Sequence, residues 1–340
     1  MEELTLLAVT AGAEVAGALV QRLQHPTPAY YLGKGKVEEL ADLKGEVGYD
    51  VVIFDDELSP TQQINLEQAL EVKVIDRTAL ILDIFAKRAQ TREGRLQVQL
   101  AQHQYLLPRL PGQWSHLERL GGGIGTRGPG EAQLETDRRL IRQKIHRLQR
   151  EIEEIRTHRA LYRRRRSVQG IPVVAIIGYT NAGKSTLFNS LSNARVLVED
   201  KLFATLDPTT RRLTLPNKQQ VLISDTVGFI RKLPTTVIAA FRATLEELEE
   251  AALLIHVIDI THHNAIEQSV TVEETIAELG LAEKPRIAAL NKVDLFASSE
   301  EDISDFASAM KASDTVLISA AKGWGLDRLL EQIAEKLSLH

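Results

Sequence analysis

Residues 178–185, with the sequence GYTNAGKS, constrain the fold of this chain more than any other feature. They match the template G-x-x-x-x-G-K-[ST] at every fixed position, between an apolar run at 171–177 and a predicted helix at 186–191. A strand, a glycine loop and a helix in this order form a phosphate-binding loop (P-loop), because backbone N–H groups at the helix start face an anion. We expect Lys184 to contact the outer phosphates and the Ser185 hydroxyl to bind Mg²⁺.

Composition narrows the class of protein without naming a partner. The chain has 340 residues, enough for two or three domains, and no cysteine, which excludes disulfides and thiolate metal sites. No apolar run is long enough to span a membrane, and the acidic start Met1-Glu2-Glu3 is unlike a signal peptide. We therefore expect a cytoplasmic protein. The net charge of −5 does not indicate what kind of partner the protein binds, because local patches of opposite charge cancel in the total.

Three domains of an α/β fold are predicted. Residues 1–95 form a small α/β domain, residues 96–168 an antiparallel helical hairpin with a glycine-rich loop at 121–130, and residues 169–340 a P-loop domain with a mostly parallel sheet. In the first domain, strands are predicted at 4–9, 30–32, 50–54 and 72–75, and helices at 13–23, at 37–43 and from Ser59 onward.

Two segments of the hairpin leave alternatives open. The loop at 121–130 contains Arg127 and lies near Trp114, which suits contact with an RNA backbone, but a flexible linker is an equal alternative. Residues 131–166 are predicted to be one long helix with twelve Arg or Lys against six Asp or Glu. This helix has either a solvated charged face or a polyanionic partner.

Three further motifs each follow a predicted strand in the last domain. They are Asp225-Thr226-Val227-Gly228, Asn291-Lys292-Val293-Asp294 and Ser319-Ala320-Ala321. The first places a carboxylate near Mg²⁺ and the Gly228 N–H near the γ-phosphate. The Asp294 carboxylate accepts from N1–H and the 2-amino group of guanine, and adenine has neither donor, so GTP is the predicted substrate rather than ATP.

The four motifs in this order resemble those of translation-factor-class GTPases. The glycine-rich loop at 121–130, the sequence EAQLE at 131–135 and the sequence LFATLDPT at 202–209 resemble the HflX family in particular. The resemblance covers nearly the whole chain. It implies an N-terminal domain, a helical linker and a G domain, with binding to the large ribosomal subunit and its RNA and a role in ribosome splitting or rescue. We expect a monomer. The alternative is a GTP-switched adaptor that docks a protein or membrane partner without RNA.

The resemblance also implies roles for single residues. Thr205 corresponds to the threonine of switch I that binds Mg²⁺, with Thr209 and Thr210 as local competitors. Asn181 corresponds to the asparagine associated with hydrolysis assisted by K⁺, which is a hypothesis here. Many relatives carry a further small domain after the G domain, whereas this chain ends in a predicted helix at 326–337. Functions of that domain are therefore not carried over.

Phe229 follows Gly228, at a place where many signalling GTPases carry a glutamine that orients water. A phenyl ring cannot polarise water. We therefore predict slow hydrolysis by the isolated protein, stimulated when a partner orders the switches or supplies the missing group.

The predicted site comprises residues of three kinds. The catalytic residues are Lys184, Thr205 and Gly228, and the Mg²⁺ ligands are Ser185 and Thr205. The remaining nucleotide-binding residues are Gly178, Tyr179, Thr180, Asn181, Ala182, Gly183, Thr186, Phe203, Ala204, Leu206, Asp207, Asp225, Thr226, Val227, Asn291, Lys292, Val293, Asp294, Ser319, Ala320 and Ala321.

Overall fold

A computed structural model describes residues 2–110, 129–168, 170–192, 202–234, 237–238, 242–302 and 314–338. The chain divides into two compact units. The first consists of Met1–Lys87, Arg95–Glu154 and Pro234–Ala240, and the second of Arg88–Gly94, Ile155–Leu233 and Phe241–His340. The prediction of three domains, with boundaries after residues 95 and 168, stays a prediction.

The first unit contains a small parallel sheet covered by helices. Its strands are β1 Val51–Phe54 and β2 Lys73–Asp76, with Val51 opposite Lys73. The α-helices with described bounds in this part of the chain are α1 Glu2–Ala11, α2 Lys34–Val47, α3 Pro60–Leu70, α4 Arg77–Arg88 and α5 Arg92–Leu106. Apolar side chains of β1, β2, α2 and α3 form one buried cluster. The small α/β domain predicted for this region is confirmed.

The start of α3 shows how the sequence fixes a helix boundary. The Ser59 hydroxyl accepts a hydrogen bond from the backbone N–H of Gln62 at 3.2 Å, and the Gln62 side chain accepts one from the N–H of Ser59 at 2.9 Å. Pro60 occupies the first helical position. This reciprocal capping satisfies N–H groups that lack an intrahelical partner, as the sequence predicts.

Three predictions near the N-terminus are wrong. The segment predicted as a strand at 4–9 lies in α1, where Leu4, Leu7 and Ala8 are buried on one face. The segment predicted as a helix at 13–23 has no regular secondary structure, and the predicted strand at 30–32 is reduced to a single bridge between Thr27 and Tyr31. A short apolar run does not distinguish a strand from a buried helix by periodicity alone.

The long basic helix is confirmed as α6 Pro129–Val168. The apolar positions predicted to share a face are all buried or half-buried, namely Leu134, Ile141, Ile145, Leu148, Ile152 and Ile155. Most of the glycine-rich loop, together with Trp114, lies outside the described residues, so both interpretations of it stay open. No helix within the described ranges combines the length and the apolar composition that a membrane crossing requires.

The second unit is built on one six-stranded sheet. Its strands are β3 Val173–Gly178, β4 Thr209–Thr214, β5 Gln220–Asp225, β6 Leu253–Asp259, β7 Arg286–Asn291 and β8 Thr315–Leu317. They lie in the order β4-β5-β3-β6-β7-β8, all neighbours parallel except β4 against β5. The helices with described bounds are α7 Lys184–Ser192, α8 Arg242–Glu250, α9 Ala265–Glu278 and α10 Leu326–Ser338.

The strand order determines where the motifs meet. Every residue of β3 is buried, as expected of a strand covered on both faces of a parallel sheet. The P-loop follows β3, and the other three motifs begin at or just after the ends of β5, β7 and β8. Since parallel strands end at the same edge, all four motifs lie at one edge of the sheet. The predicted P-loop fold is confirmed.

Candidate nucleotide-binding site

The P-loop leaves β3 through backbone conformations that few residues tolerate. Gly178 has a φ of +151°, and a Cβ there would lie 2.3 Å from the carbonyl oxygen of Val257. Asn181 and Gly183 have φ values of +64° and +96°. Glycine reaches this region without steric cost, and asparagine tolerates it better than most residues. The loop then enters α7 at Lys184, and residues at the start of this helix line the cavity. The first N–H groups of a helix have no acceptor within the helix, so they suit the binding of an anion.

Residues from three segments line this cavity. They are Thr180, Asn181, Gly183, Lys184 and Ser185 of the P-loop with the adjacent Thr186 of α7, Phe203, Ala204 and Thr205 of the segment before β4, and Thr226 and Gly228 of the segment after β5. The Lys184 ammonium donates to the carbonyl oxygen of Tyr179 at 2.6 Å and thus lies across the loop. Burial lowers the pKa of Lys184 to about 8, and the nearby Asp225 carboxylate partly opposes that shift.

Three oxygen atoms converge where Mg²⁺ is predicted. The Ser185 hydroxyl lies 2.8 Å from that of Thr205 and donates to Asp225 Oδ2 at 2.7 Å, and Thr205 donates to the same oxygen at 2.9 Å. Asp225 Oδ1 is buried without a hydrogen-bond partner among the described atoms. Hydroxyl and carboxylate oxygens are the ligands that Mg²⁺ prefers, so these residues fit the ion.

The competitors of Thr205 lie elsewhere. Thr209 is the first residue of β4 and pairs in register with Asp225, and Thr210 donates to Ser224 at 3.3 Å. Neither hydroxyl lines the cavity. Of the three threonines, Thr205 is the one that the structure brings to Ser185.

The segment after β5 is fastened to the P-loop through its backbone. The N–H of Phe229 donates to the Gly178 carbonyl at 3.1 Å, and that of Thr180 donates to the Phe229 carbonyl at 2.8 Å. A Cβ on Gly228 would lie 2.8 Å from Thr180 Cα and 2.9 Å from Lys184 Nζ, so a side chain does not fit there. The Phe229 side chain is only 1% exposed and is absent from the cavity lining.

The two motifs predicted to bind guanine are joined to each other and to the P-loop. Asn291 donates from Nδ2 to the Ala182 carbonyl at 2.8 Å and accepts at Oδ1 from the N–H of Ala320 at 3.0 Å. The Ser319 hydroxyl donates to Asp294 Oδ1 at 2.6 Å. This hydrogen bond fixes the orientation of the Asp294 carboxylate, because charge-assisted bonds of this kind are strong and directional.

One contact of this region was not predicted. Lys292, which has a φ of +68°, places its ammonium 2.7 Å from the carboxylate of Asp259 at the end of β6. The position of Asp259 at the carboxyl end of a parallel strand was the sequence signal that could have indicated it.

Several predicted residues lie near the site without lining the cavity. Leu206, Val227 and Val293 are buried in the core, and the Asp207 carboxylate accepts hydrogen bonds from Gln90 and Thr91. Ala321 is exposed beside the base-binding motif. Their contact with nucleotide stays a prediction.

Comparisons with known proteins agree with this geometry. Family models match three segments: GTP-binding GTPase N-terminal at residues 1–86, GTP-binding GTPase Middle Region at 88–166 and 50S ribosome-binding GTPase at 173–292. The chain is 54% identical to the GTPase HflX of Caldanaerobacter subterraneus subsp. tengcongensis over 99% of this chain and 77% of that protein. It is 45% identical to the GTPase HflX of Escherichia coli K12, over 99% and 79%.

The chain belongs to the HflX family of GTPases. Among solved structures, a GTP-binding protein from Sulfolobus solfataricus in complex with GDP is similar, with a TM-score of 0.50, 25% identity and coverage of 99% of this chain and 95% of that one. The protein is therefore an enzyme that binds and hydrolyses GTP.

Proposed function

We propose that this GTPase binds the large ribosomal subunit and acts in ribosome splitting or rescue, with hydrolysis stimulated by the ribosome. The observation that carries this proposal is the match of residues 173–292 to the family described as 50S ribosome-binding GTPase. Ribosomes lie in the cytoplasm, so we expect the protein there, as a monomer.

The surface of α6 supports an RNA partner. Arg139, Lys144 and Arg150 are exposed, and none of them forms an ion pair with another residue in the part of the chain that the structure describes. Exposed cations on an elongated helix bind polyanions by releasing counterions from the phosphates. We infer that this surface, together with the glycine-rich loop at 121–130, contacts ribosomal RNA.

Each residue of the nucleotide site is assigned one role. Lys184 contacts the outer phosphates, Ser185 and Thr205 hold Mg²⁺, and the N–H of Gly228 meets the γ-phosphate. A Mg²⁺ ion held by Ser185 and Thr205 would supply positive charge close to the phosphates. Asp294 reads guanine, in the orientation set by Ser319.

Asn181 is proposed to support activation by K⁺. It lines the cavity and has the left-handed backbone conformation, with a φ of +64°. We expect faster turnover in KCl than in NaCl at equal ionic strength, and Asn181→Ala should remove the difference. Equal rates of the unchanged protein in both salts would contradict the proposal.

Co-sedimentation with ribosomes tests the proposed function. The protein is mixed with intact ribosomes or with separated subunits, each in the presence of a non-hydrolysable GTP analogue, GDP or no nucleotide. We expect the strongest binding to the large subunit with the analogue, and GTP turnover that increases when ribosomes are added. The alternative function, an adaptor for a protein or membrane, predicts no ribosome binding and no stimulation.

A further inference from the structure

The segment Arg88–Gly94, here called the connector, belongs to the second unit although its neighbours in sequence belong to the first. It joins the end of α4 to the start of α5. Gln90 and Thr91, at its centre, are exposed. Nothing in the roles assigned above uses this segment, yet it meets the segment that carries Thr205.

Asp207 fastens the connector to that segment. Its Oδ2 accepts hydrogen bonds from the backbone N–H of Gln90 at 2.7 Å and from that of Thr91 at 2.9 Å, and its Oδ1 accepts one from the Thr91 hydroxyl at 2.5 Å. The Thr91 hydroxyl in turn accepts from the N–H of Gly94 at 2.9 Å. A carboxylate is favourable at a helix N-terminus, and Thr91 caps α5 in the usual way.

The glycine at position 94 allows the Asp207 carboxylate to lie close to the start of α5. A Cβ at Gly94 would lie 2.2 Å from Asp207 Oδ1 and 3.0 Å from Asp207 Cγ. Alanine has a higher helix propensity than glycine, so a glycine in the first turn of α5 needs another reason. The close approach of the Asp207 carboxylate supplies that reason.

The connector is also tied to the helix that follows the Asp225–Gly228 motif. Arg159 of α6 donates to Glu93 at 3.1 Å and to Glu247 of α8 at 3.0 Å. Glu247 is buried, and Arg159 is 23% exposed at its side chain. Partly buried pairs that share one arginine hold their elements more firmly than exposed pairs. The connector therefore contacts Asp207, two residues beyond Thr205, and is linked through Arg159 to α8, which follows the Asp225–Gly228 motif.

The chain between Thr205 and Asp207 has little slack. Two residues span at most about 7 Å, and Leu206 between them is buried. In this structure the Thr205 hydroxyl lies beside Ser185 and Asp225 while Asp207 holds the connector, so the two sets of contacts occur together. A displacement of Thr205 from the site would pull on the hydrogen bonds at Asp207.

We propose that Asp207 is a positioning residue for GTP hydrolysis. Its hydrogen bonds to the connector Arg88–Gly94 hold Thr205 in the site, and these hydrogen bonds break when Thr205 leaves the site. The proposal rests on the proposed role of Thr205 as a Mg²⁺ ligand. It assigns to the connector, which precedes the predicted G domain at 169–340 in sequence, hydrogen bonds that depend on the nucleotide state.

Hydrogen exchange of the full chain measures whether these hydrogen bonds depend on the bound nucleotide. The amides of Gln90 and Thr91 are expected to exchange more slowly with Mg²⁺ and a non-hydrolysable GTP analogue than with Mg²⁺ and GDP, because Asp207 accepts from both N–H groups only while Thr205 is in place. Asp207→Ala should remove the difference. If the hydrogen bonds to Asp207 only stabilise the fold, both amides will be equally protected in the two nucleotide states, and that result would overturn the proposal.

Measurements of kcat distinguish an effect on the position of Thr205 from an effect on nucleotide binding. Asp207→Ala and Thr91→Ala are expected to lower kcat about tenfold, which corresponds to about 1.4 kcal/mol, with little change in the affinity for GDP. Thr91→Ser keeps the hydroxyl and should restore the rate. Gly94→Ala should behave like Asp207→Ala, although it raises helix propensity. An unchanged kcat in Asp207→Ala would overturn the proposal.

Two control variants distinguish a failure of the connector proposal from a failure of the proposed role of Thr205. Asp302 also accepts from two backbone N–H groups, those of Ser298 and Ser299, at 3.0 and 3.1 Å, so Asp302→Ala removes a comparable local cap and should leave kcat unchanged. Thr205→Ala tests the Mg²⁺ ligand itself. If Thr205→Ala is fully active, the proposed role of Thr205 is wrong. If Thr205→Ala is impaired while Asp207→Ala and Thr91→Ala are not, the connector proposal alone is wrong.

Discussion

At the scale of one residue, Phe229 is the basis of the prediction that the isolated protein hydrolyses GTP slowly. Its backbone is paired with the P-loop strand, and its side chain is 1% exposed in the core. A side chain that orients the attacking water has to reach the cavity, and the Phe229 side chain does not line it. The sequence alone indicated a missing group, whereas the structure shows that the side chain at this position packs inside the protein.

Replacing the phenyl ring by an amide is accordingly not expected to restore catalysis. Phe229→Gln should leave the intrinsic rate of GTP hydrolysis unchanged and should lower the free energy of unfolding by about 2–4 kcal/mol, because it leaves a cavity and buries an amide. Single-turnover kinetics and urea unfolding measure the two effects. A variant that hydrolyses GTP many times faster than the unchanged protein would contradict this explanation.

Asp294 is the residue predicted to select guanine. Asp294→Asn should weaken GTP binding about a hundredfold or more, since two hydrogen bonds to a charged acceptor are worth about 1.5–3 kcal/mol each, and should favour xanthosine triphosphate. Asp327→Asn, at an exposed position in the first turn of α10, is the control with the same change of charge. Competition binding with GTP and xanthosine triphosphate measures this preference. An unchanged preference for guanine would show that Asp294 does not recognise the base.

At the scale of elements, the P-loop and β7 are in contact through Gly183. A Cβ at Gly183 would lie 2.2 Å from Nδ2 of Asn291, and its φ of +96° is unfavourable for other residues. Gly183→Ala should therefore disturb the phosphate loop and the base site together and should lower GTP affinity by more than about tenfold, which equilibrium binding of labelled GTP measures.

Gly280→Ala is the matched control for that variant. Gly280 also has a positive φ, +74°, but no atom lies within 4 Å of the position that a Cβ would take, so the substitution adds backbone strain without a clash. We expect it to cost about 1 kcal/mol of stability and to leave GTP affinity unchanged. Equal losses of GTP affinity in the two variants would contradict a role for the contact between Gly183 and Asn291.

The same scale separates what the sequence predicts from what it does not. Strands β1, β2, β3, β5, β7 and β8 and helices α2, α3, α6, α7 and α10 were predicted because each has a local signal, such as an apolar run or a cap. Helix α1 was mistaken for a strand because its short apolar run suits either structure. The segment at 13–23 was mistaken for a helix because its pattern is amphipathic, although it has no regular structure.

The site divides in the same way. The residues of the four motifs were predicted correctly as neighbours, since each motif is contiguous and follows a strand of one sheet. The contact of Asp207 with Gln90 and Thr91 joins residues more than a hundred positions apart. No local pattern reports such a pair, and only the folded chain brings them together.

At the scale of the whole molecule, the basic surface of α6 distinguishes an RNA partner from an apolar one. Replacing Arg139, Lys144 and Arg150 together by Gln should weaken ribosome binding. The slope of log K against log salt should fall by about 0.7–0.9 for each phosphate that the variant no longer neutralises. GTP affinity should not change, because these residues lie outside the cavity.

A triple variant with the same loss of charge elsewhere makes that prediction specific. Arg212, Lys218 and Arg328 are exposed cations of the second unit, and their replacement by Gln changes the net charge equally. Binding to ribosomes is measured by co-sedimentation over a range of KCl concentrations for both triple variants. If RNA contacts α6, only the α6 variant loses affinity and salt dependence. If both variants lose them equally, the binding depends on net charge alone, and if neither does, α6 is a solvated face and the partner is held by other residues.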